Sequence, residues 1–298
     1  MVLDDFSLEV TGRDAGELDA LRGIVPAGTR INVTSLAGED PGGRRATARA
    51  VAGAGFVPVP HVTARRLTGQ REFEELLEGL RADGTATEIF AVGGDPGTPL
   101  GPYADSLALI ESGLLEKHGV ARVSIAGHPA GHPGIPGEVL WSSLAARVTA
   151  LRARGLTGDV ITQLGFDVAP VLDWIAALRE RGVDLPVRVG VPGPTEESRL
   201  RRLATRLGIA TSPAAENVGS SPAAEAGRTS PATEAGRTSP ATEAGRASPA
   251  APATPAAFLR TLAGEYHPER HGEVKLHFYT FGGLKSTAEW ITNFAKEG

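Results

Sequence analysis

The chain contains no cysteine. Disulfides, thiolate chemistry and cysteine-based zinc or iron–sulfur sites are thereby excluded. A dominant charge is missing too. Thirty Lys and Arg stand against 35 Asp and Glu, for a net charge of −5. The two signs are interspersed, so no basic face marks a nucleic-acid partner. No stretch approaches the roughly 20 apolar residues that cross a bilayer. The opening "MVLDDFSLEV" is acidic and lacks the apolar run of a signal peptide. A cytoplasmic protein without a membrane partner is expected. No Gly-x-Gly-x-x-Gly follows the first strand candidate, which weighs against a dinucleotide-binding open sheet.

What the 298 residues do contain, 41% of them hydrophobic and 22% charged, is an alternating pattern. Short β-branched runs occur at Phe6–Val10, Arg30–Thr34, Phe56–His61, Glu88–Val92, Ala121–Ala126, Val160–Phe166, Val187–Val191 and Lys275–Phe281. Amphipathic stretches lie between them, at Gln70–Arg81, Tyr103–Leu115, Leu140–Arg154, Val168–Arg181 and Glu196–Leu207. In the fourth of these, Val171, Leu172, Ile175 and Leu178 follow helical spacing. Eight strands alternating with helices predict an α/β fold, a (β/α)8 TIM barrel in one domain over residues 1–298. A doubly wound open sheet is the alternative.

One segment departs from the pattern. Ser212–Pro255 is a nine-residue repeat with Ser-Pro starting at 212, 221, 230, 239 and 248. It has one Val and no Leu, Ile or aromatic residue, too little apolar area to offset its ordering entropy. It reads as a disordered low-complexity insertion before the last helix–strand unit.

A barrel places its chemistry at the C-terminal strand ends. The polar residues there are Glu9, Thr34, His61, Thr63, Asp95, His128, His132, Gln163 and Tyr279. The stretch "AGHPAGHPG" (126–134) holds two histidines four apart, which on a helix would suggest a zinc pair. Its prolines and glycines forbid that helix, so it reads as the loop leaving the fifth strand, and no metal site is expected.

Seven segments at these strand ends together resemble the methylenetetrahydrofolate reductase family. "SLEV" (7–10) resembles its Ser-Phe-Glu-Phe, "INVTS" (31–35) its Ser-Val-Thr, and "PHVT" (60–63) its His-Leu-Thr. "AVGGDPG" (91–97) resembles Leu-Arg-Gly-Asp-Pro-Pro, and "AGHPAGHP" (126–133) resembles Ala-Tyr-Pro-Glu-x-His-Pro. "VITQLGFD" (160–167) resembles Ile-Thr-Gln-Phe-Phe-Phe-Asp, and "LHFYTFG" (276–282) the final His-Phe-Tyr-Thr-x-Asn. The resemblance implies a divergent member of a family of flavin barrels. There NAD(P)H gives a hydride to FAD, and the reduced flavin converts 5,10-methylenetetrahydrofolate to 5-methyltetrahydrofolate, in the service of methionine biosynthesis or a catabolic one-carbon route. It implies Glu9 as the general acid that opens the one-carbon bridge, and burial in an apolar strand suits a carboxyl to that task. It implies Asp95, Gln163 and Tyr279 as reduced-folate contacts. Thr34, His61, Asp95, Ala126, His128 and His132 become flavin contacts.

The chain also departs from the family. Gly93 stands where an Arg usually precedes Gly-Asp, His128 where a Tyr contacts the flavin, and Gly165 where a Phe is usual. Glu197 falls where a stacking Phe is expected, and Arg152 and Arg154 offer themselves as phosphate partners. These losses of fork and stacking area define a second expectation, a folate-binding relative acting in one-carbon transfer or demethylation with weakened or no flavin use. A non-catalytic folate- or flavin-binding protein and a metal-dependent barrel hydrolase are further alternatives. Homo-oligomerisation is left open.

Overall fold

The computed structural model describes residues 4–35, 38, 41–94, 96–196, 199, 200, 202, 205 and 255–297. The repeat, up to residue 254, lies outside the described residues, as do Asp95 and Glu197.

Eight parallel strands, paired in sequence order, form a closed barrel. They are β1 (Ser7–Val10), β2 (Arg30–Val33), β3 (Val57–Thr63), β4 (Glu88–Val92), β5 (Arg122–Gly127), β6 (Val160–Leu164), β7 (Val187–Pro192) and β8 (Val274–Tyr279). All eight match expected runs to within a few residues. The closing pair sets Ser7 beside His277 and Leu8 beside Phe278. Side chains alternate across a strand, so Leu8 and Val10 join the outer core beneath the helices, while Ser7 and Glu9 face inward. The barrel is thus a (β/α)8 barrel, the architecture the alternation predicts.

The helices cover the strands with apolar stripes. Helices α1 (Pro41–Gly53) and α2 (Gln70–Ala82) follow β2 and β3, and α2 buries Phe73, Leu76, Leu77 and Leu80. The expected helix over Tyr103–Leu115 is two short ones, α3 (Ser106–Glu111) and α4 (Leu114–Lys117). Between them Gly113 adopts φ 73°, a left-handed conformation that ends a helix. Helices α5 (Gly137–Ala153) and α6 (Val168–Glu180) follow β5 and β6. Asp167 caps α6 through Ala169 N at 3.2 Å. Helices α7 (Pro255–Glu265) and α8 (Pro268–His271) precede β8, and α9 (Leu284–Glu297) follows it. A 3-10 segment, Gly12–Leu21, follows β1 and is closed by a Thr11–Asp14 capping box.

Inside the barrel the N-terminal end is ionic. Asp159 and Arg188, each 1% exposed, pair at 2.7 Å. Arg122 Nη2 (2.9 Å) and Ser124 Oγ (2.6 Å) also donate to the Asp159 carboxylate. Arg188 continues to Asp5 at 3.1 Å, Lys275 reaches Asp5 at 2.6 Å, and Arg30 pairs with Glu88 at 2.8 Å. Burial opposes ionisation of Asp159, but Arg188, Arg122 and the Ser124 hydroxyl outweigh it and hold the carboxyl below its usual range. Above this layer Val59, Phe90 and Ile161 form a small apolar plug, with Val92 and Ala126 packed on it.

Candidate active site

At the C-terminal end the interior becomes polar on one side. Ser7 and Glu9 on β1, Asn32 on β2, His61 on β3 and His277 and Tyr279 on β8 face one another across the barrel. His277 is fully buried, its Nδ1 lying 2.9 Å from Ser7 Oγ and 3.4 Å from Asn32 Nδ2. Its Nε2 lies 3.7 Å from Glu9 Oε2, and His61 Nε2 lies 4.0 Å from the same oxygen. Both distances exceed a hydrogen bond. Both nitrogens are buried without a hydrogen-bond partner, as is Asn32 Oδ1. Among the described residues, nothing donates a hydrogen bond to the Glu9 carboxylate and no arginine or lysine pairs with it. A half-satisfied buried polar group is costly, so this cluster is held in place by its surroundings.

The surroundings are specific. Arg44 Nη1 donates to the His61 carbonyl at 3.1 Å, and the His61 ring sits edge-on to Phe90 at 4.8 Å. Burial pushes the His61 imidazole down to about 4, with the Glu9 charge opposing that shift and His277 and Arg44 adding to it. His61 is therefore neutral at neutral pH, and its approach to Glu9 is not an ion pair. Thr280 Oγ1 donates to the Glu9 carbonyl at 2.6 Å, fixing the end of β1. Tyr279 packs against His277 at 4.8 Å and donates its hydroxyl to the Thr162 carbonyl at 3.0 Å. Burial, then the Glu9 charge, raises its phenol well above the usual range, so it remains protonated. Gly190 makes room for this ring, because a Cβ there would lie 2.8 Å from Tyr279 Cε2 and 2.5 Å from the Thr162 carbonyl.

The His277 ring can hold its proton on either nitrogen. With Nδ1 accepting from Ser7 or Asn32, Nε2–H faces the Glu9 carboxylate. With Nδ1–H donating to Ser7, whose hydroxyl turns to the Leu276 carbonyl at 3.4 Å, the Nε2 lone pair faces Glu9. The cluster can thus present either an N–H or a lone pair toward the Glu9 carboxyl.

The other expected contacts are distributed around this cluster. Gln163 sits at a register shift between β6 and β7, half-buried, and its Oε1 accepts from Leu164 N at 3.0 Å. Thr34 follows β2 and donates its hydroxyl to the Val10 carbonyl at 2.9 Å. Ala126 packs on the apolar plug. His128 and His132 lie on the loop after β5, their rings edge-to-face at 5.6 Å, and His132 Nδ1 accepts from Gly134 N at 3.1 Å. Among the described residues, no group of three or more His, Asp or Glu could hold a metal ion. The structure therefore brings Glu9, His61 and Tyr279 together and leaves His128 and His132 on a separate loop. Arg152 and Arg154 are not placed as phosphate partners. They lie at the C-terminal end of α5, where Arg152 pairs with Asp184 at 2.6 Å and Arg154 with Glu116 at 3.3 Å.

Three residues of the cluster, Ser7, Asn32 and His277, were not singled out from the sequence. Their signal is a polar residue at an inward position of an apolar strand, and reading it requires the barrel register. Above the cluster, Phe281 stacks on Tyr279 at 5.6 Å. A cavity of about 810 Å³ opens beside Phe281, lined also by Pro194, Glu196, Arg199 and Arg202.

No protein-family model matches the sequence. Among solved structures, the chain is similar to a Burkholderia cenocepacia J2315 protein described as a phosphonomutase. The identity is 15% and the TM-score 0.47, over 68% of this chain and 83% of that one. It is also similar to a type I 3-dehydroquinate dehydratase from Clostridium difficile, solved with covalently modified comenic acid. There the identity is 11% and the TM-score 0.42, over 63% and 75% of the two chains. The barrel rests on its own strand order, and neither likeness bears on function. Among the described residues, no helix is long and apolar enough to cross a membrane.

Proposed function

We propose that the chain is a cytoplasmic reductase of the methylenetetrahydrofolate type, reducing a 5,10-methylene bridge on a reduced folate with NAD(P)H as the hydride source. The observation that supports it is the convergence of Glu9, His61, His277 and Tyr279, from strands β1, β3 and β8, on one end of the barrel. Glu9 as an acid gives its proton to the bridge nitrogen, and that carbon–nitrogen bond breaks to leave an iminium. Hydride adds to the iminium carbon and forms the methyl group. NAD(P)⁺ leaves, and the Glu9 proton is restored from solvent. His277, held by Ser7 and Asn32, stands 3.7 Å from the carboxyl and faces it with Nε2. Neutral His61 sets the opposite wall. The cavity beside Phe281 suits an extended substrate: the ring offers a stacking face, and Arg199 and Arg202 suit an acidic tail.

FAD would supply a hydride relay. The chain has Gly93 and His128 where the family that it resembles has a flavin-contacting Arg and Tyr. The Thr34 hydroxyl already donates to Val10, His61 is turned to Glu9, and a Cβ on Gly93 would meet only open space where an arginine is usual. No step is therefore routed through FAD. The same observation favours a second reading, a folate-binding relative in one-carbon transfer or demethylation.

The test is NAD(P)H oxidation by the purified protein on addition of 5,10-methylenetetrahydrofolate, with and without added FAD, alongside its visible spectrum. The expected result is oxidation stoichiometric with 5-methyltetrahydrofolate. Folate binding without oxidation under any of these conditions would select the second reading.

A further inference from the structure

A second cavity, of about 120 Å³, lies between the exit of β5 and helices α5 and α6. The reaction above does not use it. Two of its walls are Trp141 and Trp174, stacked at 5.5 Å with 24° between their planes. Arg181 covers the Trp141 ring from 4.2 Å. Gly127 brings the strand against this pair, since a Cβ there would lie 2.7 Å from Trp174 Cη2.

The lining also includes Arg147, which is only 6% exposed. Its Nε donates to the Ser143 carbonyl of its own helix at 3.1 Å. Among the described residues, its two terminal nitrogens have no acceptor and no carboxylate lies within ion-pair distance. The Asp105 charge acts on it only from afar, the Asp105 side chain being engaged in capping α3 through Ala108 N at 3.1 Å. Burial pulls the guanidinium down to about 10, so at neutral pH it remains a cation. Burial, then the Arg147 charge, pushes His128 beside it down to about 4. His128 is thus a neutral neighbour that can donate or accept. The cavity also touches Gly137 and Leu140 in the first turn of α5, whose N-cap, Pro136, offers no side-chain acceptor to the open N–H groups.

A buried cation without a counter-charge is costly. Here it faces a cavity beside a helix N-terminus that also favours negative charge. We propose that this cavity is an oxyanion site, in which Arg147 grips a phosphate or carboxylate group through its two terminal nitrogens and the tryptophans exclude water from one side. The volume of about 120 Å³ is enough for such a head group. The site stands apart from the reductase reading. Only the oxyanion's source rests on it, either a nicotinamide-cofactor phosphate or the carboxylate of a folate tail.

The experiment is titration of the full chain with inorganic phosphate, followed by calorimetry and tryptophan emission. Two of the three tryptophans wall the cavity, so phosphate is expected to bind and alter the emission, and Trp290→Phe is expected to keep that response. Arg147→Gln should weaken binding by about tenfold or more, the loss of a charge-assisted hydrogen bond. Arg147→Lys should retain part of it, a point charge replacing a fork. Gly127→Ala, which narrows the cavity and leaves the cation in place, should weaken binding as well. It keeps the test open should Arg147→Gln not fold. Competition by NADPH assigns the oxyanion to the dinucleotide, and competition by p-aminobenzoylglutamate assigns it to the folate tail. Phosphate binding with neither competing supports a site for the free anion. No phosphate binding by the wild type, or unchanged binding by Arg147→Gln and Gly127→Ala, overturns the proposal. A protein that binds phosphate here yet oxidises no NAD(P)H would sink the reductase reading and leave this site standing.

Discussion

At the N-terminal end of the barrel, Asp159 accepts hydrogen bonds from Arg188, Arg122 and Ser124. At the C-terminal end, Glu9 accepts none among the described residues, though two histidine nitrogens stand 3.7 and 4.0 Å away. Both carboxyls sit inside the same barrel, Asp159 just before β6 and Glu9 on β1, yet their neighbours differ. The lower one meets cations that neutralise it. The upper one meets two imidazole nitrogens that stand beyond hydrogen-bond distance and leave it unneutralised. Buried charge that is fully paired fixes structure, whereas polar groups left short of partners tend to mark the place where a ligand completes them.

This contrast can be broken at either end. The largest stability effect is expected below. Asp159→Ala leaves Arg188, in a nearly inaccessible position, with Asp5 as its remaining carboxylate and should cost about 3 kcal/mol, read as a lowered midpoint in urea denaturation. A loss under about 1 kcal/mol would mean that the network behaves as a surface ion pair.

The next effect separates the two ends by pH. His61 has its folded-state pKa depressed from 6.5 to about 4. The unfolded chain therefore binds the extra proton first, and stability present above about 6.5 is lost as pH falls through about 4. That 2.5-unit difference corresponds to about 3 kcal/mol. Asp5 and Asp159 are held below their ordinary 3.8, so their contribution is present above that value and disappears only in more acidic solution. Stability measured against pH should fall in two stages, the first shared by His61 and His128, so that His61→Gln shrinks the first stage and leaves the second. A single stage, unchanged by that substitution, would contradict the assignment.

The smallest effect concerns an edge that neither end controls. Asp105→Ala removes the N-cap of α3 and should cost about 1 kcal/mol in the same denaturation experiment, leaving both pH stages in place.

The barrel was legible because its signal is repetitive: eight β-branched runs separated by amphipathic stretches admit few closed arrangements. Local errors have local causes. Helix α1, "PGGRRATARAVAG", has too few large apolar residues to show a period. Gly113 divides what the periodicity joins. The site was legible only in part. Glu9, His61 and Tyr279 stand out as polar residues in apolar strands near their C-terminal ends. His277, Ser7 and Asn32 carry the same signal more faintly, and their convergence depends on the register Ser7↔His277 and Glu9↔Asn32, which no local pattern encodes. Arg147 was hidden for another reason. A lone arginine on a helix reads as a solvated residue, and only the packing of α5 against Trp174 reveals its burial. Asp95, a strong expectation from the motif, lies outside the described residues.

The proposed reduction requires Glu9 to supply the proton to the folate bridge. Glu9→Gln keeps the shape of the side chain and removes the proton donor, so the most direct measurement is NAD(P)H-driven formation of 5-methyltetrahydrofolate by this variant beside the wild type, with folding checked by urea denaturation. The expected rate is reduced by about 10²–10⁴ at unchanged folate binding and with stability altered by no more than about 1 kcal/mol. A folded variant that forms the product at the wild-type rate would contradict it.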